Sequence, residues 1–315
     1  MIEGNIELQT VLAKLELNRQ KIAATQKKGY LFIALGIAVV IAGFVMGLPV
    51  PAAVAGLASL IYGGVVLYKI SDELKAYKEA FKIEVIGAAL RSLDKSLTIE
   101  PYKGILEYEF ENTQLFNQTA DRYNTEDLVS GTAGATGFYF AEIHAEYKTE
   151  VQTKNGTNTE WHDIFKGIMF AADFNKNFKG VTILQPKDLF STMGAWFSKN
   201  LFSFSNKDVI SLENTAFSKT FITHSTNQVE ARYILTPAMM ERILNLNHYT
   251  KSTISLSFIN SKIYIAFPLS RNYFEAPVFK TLSNPDLLND DVAVIKFMYE
   301  IIRELDLNTR IWGKT

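Results

Sequence analysis

Gly29 to Tyr68 reads GYLFIALGIAVVIAGFVMGLPVPAAVAGLASLIYGGVVLY, 40 consecutive residues without a charge. One helix of that length would reach about 60 Å, twice the roughly 30 Å of a bilayer's hydrocarbon, whereas two helices of about 18 residues each fit it. The break is legible at Gly47-Leu48-Pro49-Val50-Pro51, where each proline removes a helix donor and restricts the residue before it. The sequence therefore predicts a transmembrane helical hairpin over 29–69, with spans near 30–47 and 52–69. Arg19, Lys21, Lys27 and Lys28 precede it, Lys69, Lys75, Lys78 and Lys82 follow it, and the turn is uncharged. The positive-inside rule then puts both termini in the cytoplasm. A cleaved signal peptide fits poorly, because the run starts after 28 residues that carry Glu3, Glu7 and Glu16 and is too long for an h-region. Small residues recur at Ala34, Ala38 and Ala42, at Ala55, Ser59 and Gly63, and in the Gly43/Gly47 pair. They are expected to bring helix backbones together, within the hairpin first and between copies second.

Working outward, residues 1–28 read as an amphipathic N-terminal helix, with Leu8, Val11, Leu15 and Ile22 near heptad spacing. Residues 70–100 read as a juxtamembrane helix carrying Leu74, Tyr77, Phe81, Val85, Ala88 and Ala89 on one stripe, with Ser71 and Asp72 as an N-cap if the helix restarts there. Pro101 and Gly104 end it. From 101 to 315 the pattern turns to period two, with a possible subdivision near 186–210. Ala141, Ile143, Ala145 and Tyr147 alternate with Glu142, His144, Glu146 and Lys148, as in a half-buried antiparallel strand. Asn155-Gly156 marks a hairpin. Strands are also expected at 181–184, 217–223, 228–235, 253–259 and 262–267. Thr236-Pro237 opens a helix to about Asn247, and Asn284-Pro285 precedes a longer one with Ile295, Met298, Ile302 and Leu305 on a stripe. The fold class is thus α+β: an N-terminal transmembrane helical hairpin, then a mainly antiparallel β-rich cytoplasmic domain with a few helices.

Across 315 residues, Lys+Arg 32 against Asp+Glu 33 leaves a formal net charge of -1, without the positive excess that nucleic-acid binding needs. Cys 0 excludes disulfides, Cys-ligated zinc, iron–sulfur clusters and a cysteine nucleophile. The cluster Gly131-Thr132-Ala133-Gly134-Ala135-Thr136-Gly137 invites a phosphate loop, but it feeds a strand near Phe138 rather than a helix, and a turn explains it. Glu142, His144 and Glu146 share a strand face that a metal ion could use. A solvated polar face accounts for the same alternation, and a straight hairpin about Asn155-Gly156 pairs His144 near Gly167, away from His162. No metal and no cofactor is expected. Glu126 and Asp127 are adjacent and point apart in regular structure, which weakens them as an acid–base pair and favours a cap or turn. Phe190, Met193, Phe197, Leu201 and Phe204 recur at 3–4 spacing with Trp196 beside them and Lys187, Lys199 and Lys207 nearby. They are candidates for a lipid or partner contact, weighed against a helix that covers the sheet.

Several segments resemble a bacterial membrane-anchored family catalogued as domain of unknown function 3137. They are Glu126-Asp127 with Gly131, Phe165-Lys166-Gly167 with Phe170 and Phe174, Phe178-Lys179-Gly180, Glu230-Ala231-Arg232-Tyr233 with Leu235-Thr236-Pro237, Phe274-Glu275, and Leu305 and Leu307-Asn308 leading to Ile311-Trp312. The resemblance runs from the hairpin to the C-terminus. It implies a bacterial inner-membrane protein without an assigned activity, so no catalytic residue is carried over. Read by themselves these motifs are structural. Arg232, on a strand beside a helix N-terminus, is the one candidate for holding an anionic headgroup or partner carboxylate bidentately, weighed against a structural salt bridge that the sequence favours.

The sequence favours a non-catalytic, membrane-anchored interaction or scaffold module at the inner membrane, with the lipid bilayer and a protein partner or a second copy as its partners. The alternative is a small-ligand or lipid sensor, or an enzyme, whose pocket draws on Arg232, Glu126 and Asp127. A polar pocket would favour the alternative and a flat apolar patch the scaffold.

Overall fold

Leu15, Ile22, Gly29, Gly36 and Gly43 recur every seventh residue along α1 (Ile6–Val45), and Gly56, Gly63, Ile70 and Tyr77 do so along α2 (Pro49–Ala80). All are buried. A seven-residue repeat keeps one stripe of each helix facing its partner, and here the stripe changes composition along its length: glycine in the apolar run, Leu, Ile and Tyr in the charged stem. In the apolar run the backbones nearly touch. A Cβ on Gly36 would lie 2.8 Å from the Gly56 carbonyl, one on Gly56 2.8 Å from the Gly36 carbonyl, and one on Gly63 2.8 Å from the Gly29 carbonyl. Ser59 Oγ donates to the Phe32 carbonyl across the seam at 2.7 Å. Leu31, Ile41, Phe44, Val54, Leu57 and Ile61 point outward, each more than half exposed. These are two helices long and apolar enough to cross a membrane.

This computed structural model describes residues 6–153, 156–187, 208–250, 253–284 and 286–307. They fall into two units, Met1–Ala89 with Phe274–Asp290, and Leu90–Tyr273 with Asp291–Thr315.

In the first unit α1 runs unbroken through 28, so no boundary separates an N-terminal helix from the first span. Nor does the chain restart at Ser71. It continues through α2 into a π-helical turn at Phe81–Ile86 and then α3 (Gly87–Leu93). The small-residue faces are partly corrected. Gly43, Ser59 and Gly63 lie in the seam, Gly43 so tightly that a Cβ would sit 1.9 Å from that of Ala52. Ala38 and Ala42 are exposed on the outer face of α1, because the seam advances by seven from Gly29 and not by four from Ala34. Gly47 has nothing within 4 Å of its Cβ position; its φ of +72° makes the turn before Pro49.

The segment after Phe274 lies along the charged stem. Tyr77 donates its hydroxyl to the Pro277 carbonyl at 2.6 Å, and Arg19 donates to the Val278 carbonyl at 2.7 Å. Glu275 takes Lys78 and the nearly buried Lys82, each at 3.3 Å. Glu16 receives Arg19 through both oxygens and the Leu282 amide at 2.9 Å. The Arg19 hydrogen bonds, opposed by burial and aided by the Leu282 amide, hold the Glu16 carboxyl down at about 2, against an ordinary 4.5. A depressed carboxylate stabilises the folded form above its unfolded value and loses that contribution as pH falls toward the folded one. The Leu282 amide is therefore expected to lose hydrogen-exchange protection, after correction for intrinsic rates, between about pH 4.5 and 2. In Glu16→Gln most of that pH dependence disappears; an unchanged profile in the variant would assign the transition to another group.

Among the described residues the second unit is built on a nine-stranded sheet in the order β1-β2-β3-β4-β9-β8-β5-β7-β6, with every pairing antiparallel. Its strands are β1 (Thr98–Glu100), β2 (Arg122–Ala133), β3 (Thr136–Thr153), β4 (Gly156–Asp173), β5 (Thr182–Pro186), β6 (Asp208–Ile210), β7 (Phe221–Ser225), β8 (Ser255–Ile259) and β9 (Lys262–Pro268). The glycine cluster is the β2–β3 turn, with Gly134 at φ +64°. One sheet face carries Ala141, Ile143, Ala145, Met169, Ala171 and Ile183 in a core with Phe110 of α4 (Glu107–Asn112). Glu109 of that helix accepts from Tyr139, from Tyr264 at 2.9 Å and from Lys262 at 3.1 Å, fastening α4 to the sheet. The other face carries Phe138, Phe140, Phe170 and Ile265. Against it lies α8 (Asn289–Glu304), through Phe297 on Phe267 and Tyr299 on Phe138 at 5.5 and 6.0 Å.

Two expected strands are corrected. Residues 228–235 form α6 (Gln228–Ile234), and 217–223 are divided between α5 (Thr215–Thr220) and β7. Each helix begins at an asparagine whose side chain accepts the third amide, Asn214 from Phe217 and Asn227 from Glu230. Between α6 and β8 lies α7 (Pro237–His248), capped by Thr236 as expected.

Candidate functional site

β2 and β4 are irregular part-way along their lengths, on either side of β3. β2 shifts register between Glu126 and Val129, with Asp127 at φ +58° and fully buried. β4 carries one extra residue, Ile164, between the pairs Glu146↔Asp163 and Ala145↔Phe165. Gly167, at φ +154°, faces β9 so closely that a Cβ would lie 2.0 Å from the Phe267 carbonyl. Bulges re-aim side chains and end pairing. The chain spends these on an open cleft of about 540 Å³.

The cleft is polar and of mixed charge. Glu126, Glu142, His144, Lys166 and Arg271 line it, with Asn124 and Asn272. Glu142 is 8% exposed, and its Oε1 accepts the Tyr273 amide at 2.5 Å, which ties the segment after β9 to β3. Asn272 reaches Glu126 at 3.4 Å. At the rim, His144 Nε2 lies 2.7 Å from Asp163 Oδ1 and 3.9 Å from Glu146 Oε1. Arg122 donates to Glu146 Oε2 at 3.0 Å and rests on the Trp161 ring at 3.9 Å.

Glu126 lines the cleft, but Asp127, expected in a cap or turn, sits in the strand bulge. Its amide donates to the Pro101 carbonyl at 3.1 Å. Arg232 is not on a strand. It is on α6, away from the cleft, and its guanidinium donates to Glu213 at 2.7 Å and to the Ser211 carbonyl at 2.9 Å, an ordinary exposed ion pair. Of the three pocket candidates, Glu126 and Asp127 have carboxylate oxygens within 4.8 Å of each other, whereas Arg232 is not brought to them. Phe190, Met193, Trp196, Phe197, Leu201 and Phe204 lie outside the described residues. Sequence reasoning missed Asp163 and Lys166 because it assumed a straight hairpin. The register runs Thr153↔Gly156 at the tip and gains the Ile164 bulge lower down, so His144 pairs with Lys166 and Asp163 comes beside it. The consecutive buried Ile164 and Phe165 in an alternating strand were the available signal.

The motif residues now have physical roles. Gly167 admits the β9 backbone. Glu230 accepts the amides of Lys179 at 3.0 Å and Gly180 at 2.8 Å, which joins the Phe-Lys-Gly turn to α6. Residues 163–307 match the family described as Protein of unknown function (DUF3137). The resemblance read from the sequence holds over that stretch, which includes Phe165-Lys166-Gly167, Glu230 to Pro237 and Phe274-Glu275; the hairpin, Glu126-Asp127 and Ile311-Trp312 lie outside it. No curated protein matches the chain. Among solved structures, the crystal structure of the mycobacterial trehalose monomycolate transport factor A, TtfA, is similar at a TM-score of 0.37 and 10% identity, over 72% of this chain and 94% of that one. So slight a likeness transfers no role.

Proposed function

We propose that the chain is a non-catalytic, membrane-anchored binding module of a bacterial inner membrane. The helical hairpin spans the bilayer with both termini cytoplasmic, and the α+β domain presents its cleft to a polar group of a protein partner. Two charged flanks around an uncharged turn support the orientation. The observation that carries the reading is the pair of helices long and apolar enough to cross a membrane, with Arg232 held apart from Glu126 and Asp127; the cleft, open, polar and of mixed charge, is where a partner's polar group is received. A sensor of a small polar ligand is the second reading, favoured by the same polarity.

Purification of the intact chain in mild detergent, with mass spectrometry of co-eluting proteins and retained small molecules, separates the two. A stoichiometric protein that is lost from Lys166→Glu is the expected result. A defined metabolite retained by a chain without protein partners would transfer the assignment to the sensor, and a preparation carrying neither, identical in the variant, would contradict both.

A further inference from the structure

The rim of the cleft holds three donors of the kinds that bind transition metals, an imidazole nitrogen and two carboxylate oxygens, all within 4.8 Å of one another. We propose that His144, Glu146 and Asp163 form a binding site for one divalent transition ion of the zinc type. The distances suit it. Zinc bonds to nitrogen and oxygen of about 2.0–2.2 Å imply donor separations of about 3.4 Å in a tetrahedron, and the observed 2.7 and 3.9 Å lie on either side of that value. The two strands supply the donors in a fixed frame. His144 and Glu146 stand two apart on β3, and the Ile164 bulge turns Asp163 onto their face.

Glu146 is oriented for this. Its Oε2 is occupied by Arg122, itself seated on Trp161, which leaves Oε1 toward His144. Such outer partners fix the direction of a ligand carboxylate. An imidazole with only two carboxylates favours zinc over calcium and magnesium, which take oxygen ligands. Three protein ligands leave a coordination position for a group entering from the cleft that His144 also lines. The site does not depend on what the cleft recognises.

Calorimetric titration of the metal-stripped full chain, in detergent, with zinc chloride tests this. One zinc per chain is expected, with binding weakened by about 100-fold or more in His144→Gln and in Asp163→Asn, and kept in His162→Gln, whose ring bonds Thr149 at 2.8 Å instead. Melting in the presence of chelator checks that each variant is folded, and Asp163, with its side chain 58% exposed, tolerates substitution even where His144 does not. The proposal is overturned if the wild-type chain takes up no stoichiometric zinc, or if folded Asp163→Asn binds it as the wild type does.

Discussion

Replacing Gly56 by leucine parts the two helices of the hairpin. A Cβ there would already lie 2.4 Å from Val40 and 2.8 Å from the Gly36 carbonyl, and the carbonyl is backbone that cannot rotate aside. Overpacking of this kind costs about 1–3 kcal/mol when neighbours adjust. Here the adjustment is separation of the helices, with loss of the close contacts that stand in for hydrophobic drive inside a membrane. The chain has no cysteine, so spin labels placed through Tyr30→Cys and Tyr68→Cys, both exposed, report the hairpin alone. Their distance distribution is expected to lengthen and broaden in Gly56→Leu. Gly64→Leu is the control, since nothing lies within 4 Å of that position; equal responses in the two would remove the glycine seam from the account.

The second large effect belongs to Gly167. Alanine at this position must take a φ of +154° and place its Cβ 2.0 Å from the Phe267 carbonyl, so backbone strain and a main-chain clash act together. Strained backbone alone costs on the order of 1–3 kcal/mol, and relief here requires β4 and β9 to separate where Leu269 donates to the Lys166 carbonyl at 3.0 Å. Urea unfolding of the full chain in detergent, followed by Trp fluorescence, is expected to show Gly167→Ala destabilised by about 3 kcal/mol or more. Gly137→Ala, at an open position of the β2–β3 hairpin, should stay within about 0.5 kcal/mol of the parent. A mild effect at Gly167 would mean that the two strands part more readily than their pairing implies.

These two glycines also show where the sequence was readable and where it was not. The hairpin was legible because charge is excluded over 40 residues and two prolines mark its turn. Its seam was not, because Ala and Gly are both common in membrane helices, and counting by fours from Ala34 follows an outer face. Only the seven-residue spacing of Gly29, Gly36 and Gly43, continued upstream by Ile22 and Leu15, identifies the inner one. In the sheet, the β3 alternation from Ile143 to Lys148 could be read residue by residue, since one buried face imposes period two, whereas the β8–β9 hairpin, buried on both faces, was legible as two apolar runs either side of Asn260-Ser261. Residues 228–235 could not. Val229, Ala231, Tyr233 and Leu235 alternate as a strand would, and the tertiary contacts of Glu230 with Lys179 and Gly180 decide for a helix. The cleft was the least legible feature. Its residues come from β2, β3, β4 and the segment after β9, and two register shifts that leave little mark in composition bring them together.

Labelling with a membrane-impermeant maleimide tests the central proposal, that the hairpin spans the membrane and holds the sheet domain on the cytoplasmic side. Single cysteines at Lys95, beyond α3, and at Val50, in the first turn of α2 beside the hairpin turn, are placed in the otherwise cysteine-free chain. In intact cells stripped of their outer envelope, Val50→Cys should react and Lys95→Cys should react only after the membrane is opened. Reaction of Lys95→Cys in sealed cells, or release of the chain from membranes by carbonate, would contradict the account.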